Sequence, residues 1–477
     1  MLFNSLAFVV FAAVFFPLYF WLRGRARLWW CLLASYFFYS WWDYRFVVLI
    51  GGSTCLTYWC GRRMDRAATP GRRRGWLLVC AGAHLGALAF FKYTNFLLAS
   101  VGSLLGWAGV ATTPPQLDIV LPVGISFYTF TALSYSIDIY RGKLKGADHT
   151  LLQFATYECL FPHLVAGPIL RASTFLPQLK QDAPASWHNV GRGLEMIAWG
   201  YVLKLCLADN AALFSDARFE HPELFTRASL LVGLLAFTWQ IYGDFAGYSL
   251  IAIGLARVMG FDFGTNFARP YFAAGFSDFW QRWHISLSSW IRDYIYIPLG
   301  GNRCGTTRNA VNLLGTMLLA GLWHGAGWTF VCWGLLHGLY LVGQRAVSGP
   351  YARCCAALRV PDAVARLVAI LMVFGLTALA WVFFRARTMG AAVDILGALG
   401  GLRDTAHLSF GGMKFQLIRV GLAGLLVLGV DAVASQERWR SAYLARPGLR
   451  AAGIGACVVV ILFLGRFAAN SFIYFQF

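Results

Sequence analysis

The sequence predicts an all-α, polytopic membrane protein with about eleven transmembrane helices, plus re-entrant or interfacial helices around a central tunnel. Three observations predict it. The chain is 58% hydrophobic and 16% aromatic with only 13% charged residues, where soluble domains carry about a quarter charged, so it cannot cover itself in water. Apolar runs recur from Leu2 to Phe477 with no long polar block between them, which predicts a single membrane domain over 1–477. The net charge of +19 sits in short basic clusters between those runs, the pattern of topology signals. Membrane lipid is therefore the expected surface partner, and nucleic acid is not.

The first run, 2–22, has an uncharged start and is followed by Arg23, Arg25 and Arg27. A signal peptide carries its basic residues before the apolar run, so this segment reads as a retained helix. A second cluster contains Arg62, Arg63, Arg66, Arg72, Arg73 and Arg74. If both clusters are cytoplasmic, the runs 28–40 and 46–60 form a shallow hairpin and the N-terminus is extracytoplasmic. Further runs of spanning or near-spanning length lie at 76–91, 95–110, 119–139, 151–170, 193–208, 228–258, 310–345, 364–384, 415–433 and 451–466. Pro122, Pro162 and Pro168 interrupt two of them. Irregular backbone survives at membrane depth only where protein or a water-filled cavity surrounds it, hence the expected tunnel. The eleven cysteines lie mostly inside apolar runs without metal or disulfide spacing; they read as apolar filler, and no metal site is expected.

The stretch 238–303 differs from lipid-facing helix. Asp244, Asp262, Asp278, Arg282, His284, Arg292 and Asp293 are interleaved there with aromatics. An ionisable group at membrane depth is costly unless paired or hydrated, and is functional by default. An interfacial helix with arginines on lipid headgroups explains the cations equally well, and the histidine less well. Asp278, Arg282 and Ser286 fall at helical spacing, so an ion pair is expected between the first two. Trp280, Trp283 and Leu287 mark another face, and His284, one turn after Trp280, projects with the aromatics. A second histidine, His324, stands in GLWHGAGW (321–328) inside an otherwise uncharged run. Gly321, Gly325 and Gly327 let a partner backbone or a substrate approach it closely. It is either a structural histidine bonded to a carbonyl, or a neutral imidazole available as a base. His337 and His84 read as core.

These residues carry a resemblance. PVGISFYTF (122–130), SYSIDIYRG (134–142), FPHLVAGPILR (161–171), DFAGYSLIAIGLA (244–256), NFARPYF (266–272), DFWQRWHISLSSWIRDYIYIPLGGNR (278–303), GLWHGAGWTFVCWGLLHG (321–338), WVFFRA (381–386) and FIYFQF (472–477) run in order over nearly the whole chain. The chain resembles the membrane-bound O-acyltransferases, in the bacterial branch that O-acetylates exported polysaccharides such as alginate. The two histidine motifs, roughly forty residues apart, are its most specific part. Where that branch often has aspartate-phenylalanine-serine this chain has Asp244, Phe245 and Ala246, with Leu250 and Asp278 at places often held by aspartate and glutamate.

The resemblance implies tilted helices around a tunnel, with a catalytic core at about 119–345, His324 as catalytic histidine at the narrowest point and His284 as its partner. Asp244, Trp280, Arg282, Trp283, Asn302, Arg303, Trp323 and His163 stand in the matching motifs as donor- or substrate-binding candidates. Several arginines are candidates for the phosphates of an acyl donor, implied to be cytosolic acetyl-CoA, with no bound cofactor; headgroup contact explains each as well. The resemblance also implies that acetyl passes to a periplasmic acetyltransferase partner, with contact to the polysaccharide indirect, at a bacterial inner membrane; the lack of a nucleophile-elbow serine motif agrees with it. The alternatives are peptidoglycan or cellulose O-acetylation, D-alanyl transfer to teichoic acid, and a transporter or flippase without chemistry.

Overall fold

In the computed structural model the described residues are 1–110, 113–165, 167–181, 186–401, 414–467 and 473. Among them every regular element is helical. Six helices are long and apolar enough to cross a membrane: Pro70–Trp107, Trp187–Glu220, Arg227–Val258, Asp362–Arg385, Phe415–Ala434 and Pro447–Leu464. The expected number is larger, and the differences are local. The runs 76–91 and 95–110 belong to one helical segment, joined by a wide π-helical turn at Ala89–Tyr93. The run 310–345 is two helices, Thr306–His324 and Trp328–Ala357. The runs 119–139 and 151–170 are helical only in part, over Ile125–Tyr140, Leu151–Cys159 and Phe161–Leu164, as their prolines require. The terminal motif at 472–477 lies outside the described residues except for Ile473.

The helices group into two compact units, 1–193 with 252–264, and 194–251 with 265–477. The first is knit by aromatic rings. Phe161 meets Phe11 at 5.1 Å and Phe15 at 4.9 Å, the edge-to-face geometry that ring quadrupoles favour. The Leu151–Cys159 helix starts from a capping box of Thr150 and Gln153. Gly124, at φ 78°, turns the chain into Ile125–Tyr140 where a side chain would strike the carbonyl of Leu164.

In the second unit, Gly200 packs against Gly247 so closely that a Cβ on either would fall 2.7–2.8 Å from the other's carbonyl oxygen. Gly243 meets the Leu203 carbonyl in the same way. Small residues four apart let apolar helices approach backbone to backbone. That approach carries Lys204, in a π-helical turn at Val202–Ala208, to within 2.6 Å of Asp244 and 3.0 Å of Asp209, with all three side chains buried. The Thr306–His324 and Trp328–Ala357 helices form a hairpin with equally tight glycines: a Cβ on Gly321 would lie 2.2 Å from the Phe330 carbonyl, and one on Gly325 would enter the Phe330 ring. Of the glycines around His324, Gly321 admits the backbone of Phe330 and Gly325 its ring, whereas Gly327 has ordinary clearance.

Candidate active site

Nine of the ten candidate residues belong to the second unit, and His163 to the first. The segment 276–291 is not one helix. Helix Phe276–Arg282 stops, Trp283 is extended, and His284 takes a left-handed backbone, φ 43°, before helix Ile285–Ile291. His284 therefore does not ride one turn above Trp280 as continuous helical spacing expects; it stands at a kink. Positive φ is strained for a side-chain-bearing residue and persists only where its surroundings fix it. Here they do. The Ile285 amide donates to the Asn266 carbonyl at 2.9 Å, and the Ala268 amide to that of Arg282 at 2.9 Å, so two loop strands brace the kink.

Asn266 also holds the His284 ring. Its side-chain carbonyl accepts from His284 Nδ1 at 3.2 Å and from the amide and hydroxyl of Ser286 at 3.1 and 2.9 Å, while its NH2 donates to Ser249 at 3.0 Å. An acceptor facing Nδ1 selects the tautomer with its proton there, leaving the lone pair of the neutral ring at Nε2. The ring is fully buried, with Phe245 edge-on at 4.5 Å.

His324 ends its helix against Trp323, Trp333 and Phe384, at ring distances of 4.8, 5.0 and 5.3 Å. Trp323 also meets His284 at 6.0 Å, so one indole touches both imidazoles. Trp283 is buried in the same aromatic mass, 5.1 Å from Phe267 and 5.1 Å from Trp381.

The other candidates divide. The expected Asp278–Arg282 pair is formed at 2.6 Å. Asp244 is paired with Lys204 and accepts the amide of Ile473 at 2.6 Å. Asn302 and Arg303 are exposed on a loop that Asn309 and Asn312 fasten through the carbonyls of Gly301 and Leu299. In the first unit His163 bonds the Tyr157 carbonyl at 2.7 Å.

Three residues of this site escape the sequence reading: Lys204, Asn266 and Ser249. A lone lysine deep in the run 193–208 was a visible signal; nothing in the spacing of Asn266 and Ser249 announces a contact with His284. A cavity of about 320 Å³ is lined by Trp280, Arg292, Tyr296, Thr316, Gln344 and Arg345 among others, and by neither histidine. The arrangement offers a fixed imidazole, a second buried imidazole in contact with the same indole, and a cavity with two guanidinium groups. Such a set suits acyl transfer.

The sequence profile of the membrane-bound O-acyltransferase family matches residues 139–384. The chain is 40% identical to the probable alginate O-acetylase of Pseudomonas aeruginosa, over 90% of this chain and 79% of that protein. It is 33% identical to the peptidoglycan O-acetyltransferase of Helicobacter pylori over 86% of this chain and 82% of that one. With the teichoic acid D-alanyltransferase of Streptococcus thermophilus it shares 29% identity over 46% of this chain and 56% of that one. A helical fold with several membrane-spanning segments, two histidine motifs at one buried site and this extent of likeness make the chain a member of the membrane-bound O-acyltransferase family, an O-acyltransferase.

Proposed function

We propose that the chain takes an acetyl group from a cytosolic thioester donor, acetyl-CoA, and passes it across a bacterial inner membrane for O-acetylation of an exported polysaccharide of the alginate kind. The observation that carries the reading is the shared indole: Trp323 touches both His284 and His324 in a buried aromatic site. The likeness to polysaccharide and peptidoglycan O-acetylating enzymes over most of the chain supports acetyl as the group moved.

His324 acts as general base, a role that requires reach to the acceptor hydroxyl and contributes about 10²–10⁴-fold. It takes the hydroxyl proton as the oxygen attacks the thioester carbon; the tetrahedral intermediate collapses, the C–S bond breaks, and the thiolate leaves with the proton from the imidazolium. His284, held by Asn266 with its lone pair at Nε2, orients the acceptor hydroxyl. It donates to the oxyanion only after gaining a proton, so an oxyanion-hole role is secondary. Burial among aromatic rings limits competing hydrolysis of the thioester. Arg292 and Arg345 at the cavity suit a donor phosphate. The acetyl acceptor is a hydroxyl of a periplasmic acetyltransferase partner, which hands it to the polymer. The N-terminus is extracytoplasmic.

Mass spectrometry of surface polysaccharide from a deletion strain tests this. Acetyl esters are expected to vanish, to return with the intact gene and to stay absent with His324→Ala. Unchanged esters in the deletion strain rule out the polymer; full rescue by His324→Ala rules out the base.

A further inference from the structure

The motif WVFFRA (381–386) closes the Asp362–Arg385 helix. Its Phe384 is buried and meets His324 edge-on at 5.3 Å, Trp333 at 5.3 Å and Phe330 at 5.2 Å. Phe384 and His324 both stand in the last turn of their helices. The carbonyls of a last turn lack intrahelical partners, so it frays unless something else holds it. Arg385, the next residue, supplies the hold. Its side chain is nine-tenths buried, and its Nη2 pairs with Asp216 Oδ1 at 2.9 Å. Its guanidinium also lies 6.0 Å from the Phe219 ring, within cation–π reach. Asp216, Phe219 and Glu220 stand three and four residues apart, on one face of the Asp209–Glu220 helix. That face takes a second arginine: Arg387 pairs with Glu220 at 3.0 Å, with the two side chains 78% and 42% exposed. Beyond it the Thr388 hydroxyl caps the Met389–Leu399 helix by accepting from the Ala391 amide at 3.2 Å.

We infer that Arg385 and Asp216 are positioning residues for acyl transfer: their ion pair sets the last turn of the Asp362–Arg385 helix and, through Phe384, the seat of the His324 ring. The inference rests on the reading of His324 as the base. A buried ion pair adds little net stability over apolar residues of equal volume. What it fixes is direction, and here the residue next to it is a wall of the base. The pair acts through Phe384 and takes no part in the proton transfer. The exposed Arg387–Glu220 pair, on the same two segments but away from the ring, is its natural comparison, since pairs in the open contribute little.

Thiol release from acetyl-CoA by the full-length chain in proteoliposomes, at matched folded concentration, tests this. Arg385→Met and Asp216→Ala are each expected to lower kcat by about tenfold and leave KM within about twofold, because a misplacement of about 1 Å costs a reaction up to about 10²-fold. Arg385→Lys is expected to keep kcat within about threefold, the pair being single and a point charge sufficing. Glu220→Ala, which breaks the exposed pair, is expected to leave kcat within about twofold. Equal losses in Glu220→Ala and Asp216→Ala would show general bracing of the two segments and overturn the inference. A double-mutant cycle checks the route: once Phe384→Leu is present, adding Arg385→Met is expected to cost less than about twofold more. Losses that multiply in full overturn it, as does a change in KM alone. Should Arg385→Met fail to fold, Asp216→Ala decides, its side chain being 42% exposed. Unaltered kcat in His324→Ala overturns the base reading and the inference with it; unaltered kcat in Asp216→Ala, with His324→Ala inactive, overturns the inference alone.

Discussion

Both units bury histidines, and they hold them differently. In the unit of 1–193 and 252–264, His84 bonds the Thr57 hydroxyl at 2.7 Å, His149 the Tyr135 hydroxyl at 2.8 Å and His163 the Tyr157 carbonyl at 2.7 Å. Each ring is tied to a group that belongs to the fold itself. In the other unit His284 is braced by an asparagine at a strained kink, while His324 and His337 are walled by indole and phenyl rings. Burial alone separates nothing, since all six are buried. The surroundings separate them. A ring bonded to a rigid neighbour is tied to the fold through its nitrogens, whereas His337, held by aromatic faces, has neither nitrogen bonded to the protein among the described residues.

Substitutions break or sharpen that contrast. The largest stability effect is expected at Lys204. Lys204→Met leaves Asp209 and Asp244 facing each other in the interior, at about 3–5 kcal/mol, and thermal unfolding of the purified chain reads it. Adding Asp209→Asn and Asp244→Asn to the same chain recovers most of the loss; no recovery means the glycine packing, not the charge cluster, sets that region. Asn266→Ala comes next. It strips His284, Ser286 and Ser249 of a common partner, costs about 1–3 kcal/mol, and lowers transfer more than His163→Asn does. Equal activity in the two would remove Asn266 from the site. The smallest effect is expected for His84→Gln, which surrenders one hydrogen bond worth about 1 kcal/mol and leaves turnover within about twofold; a large loss would show that the first unit's histidines serve the reaction.

The sequence makes the helical class, the apolar runs and the two histidine motifs legible because each is a local pattern of composition or spacing. The Asp278–Arg282 pair is equally readable, being one helical turn. The break at Trp283–His284 is not: no glycine or proline marks it, and tertiary hydrogen bonds from Asn266 and Ala268 impose it. Lys204 meets Asp244 only because glycines in two helices coincide, and Gly243 with Gly247 was the available clue. His337 reads as core and is in the core; what its sequence position conceals is that its nitrogens have no protein partner among the described residues.

The contrast is tested most directly by acetyl-CoA turnover of the full chain in proteoliposomes, with His324→Ala and His84→Ala assayed beside the unaltered protein at matched folded concentration. The account predicts a fall of about 10²–10⁴-fold for His324→Ala and a change within about threefold for His84→Ala, a loss of stability being its main consequence. Equal rates for the two variants would contradict it.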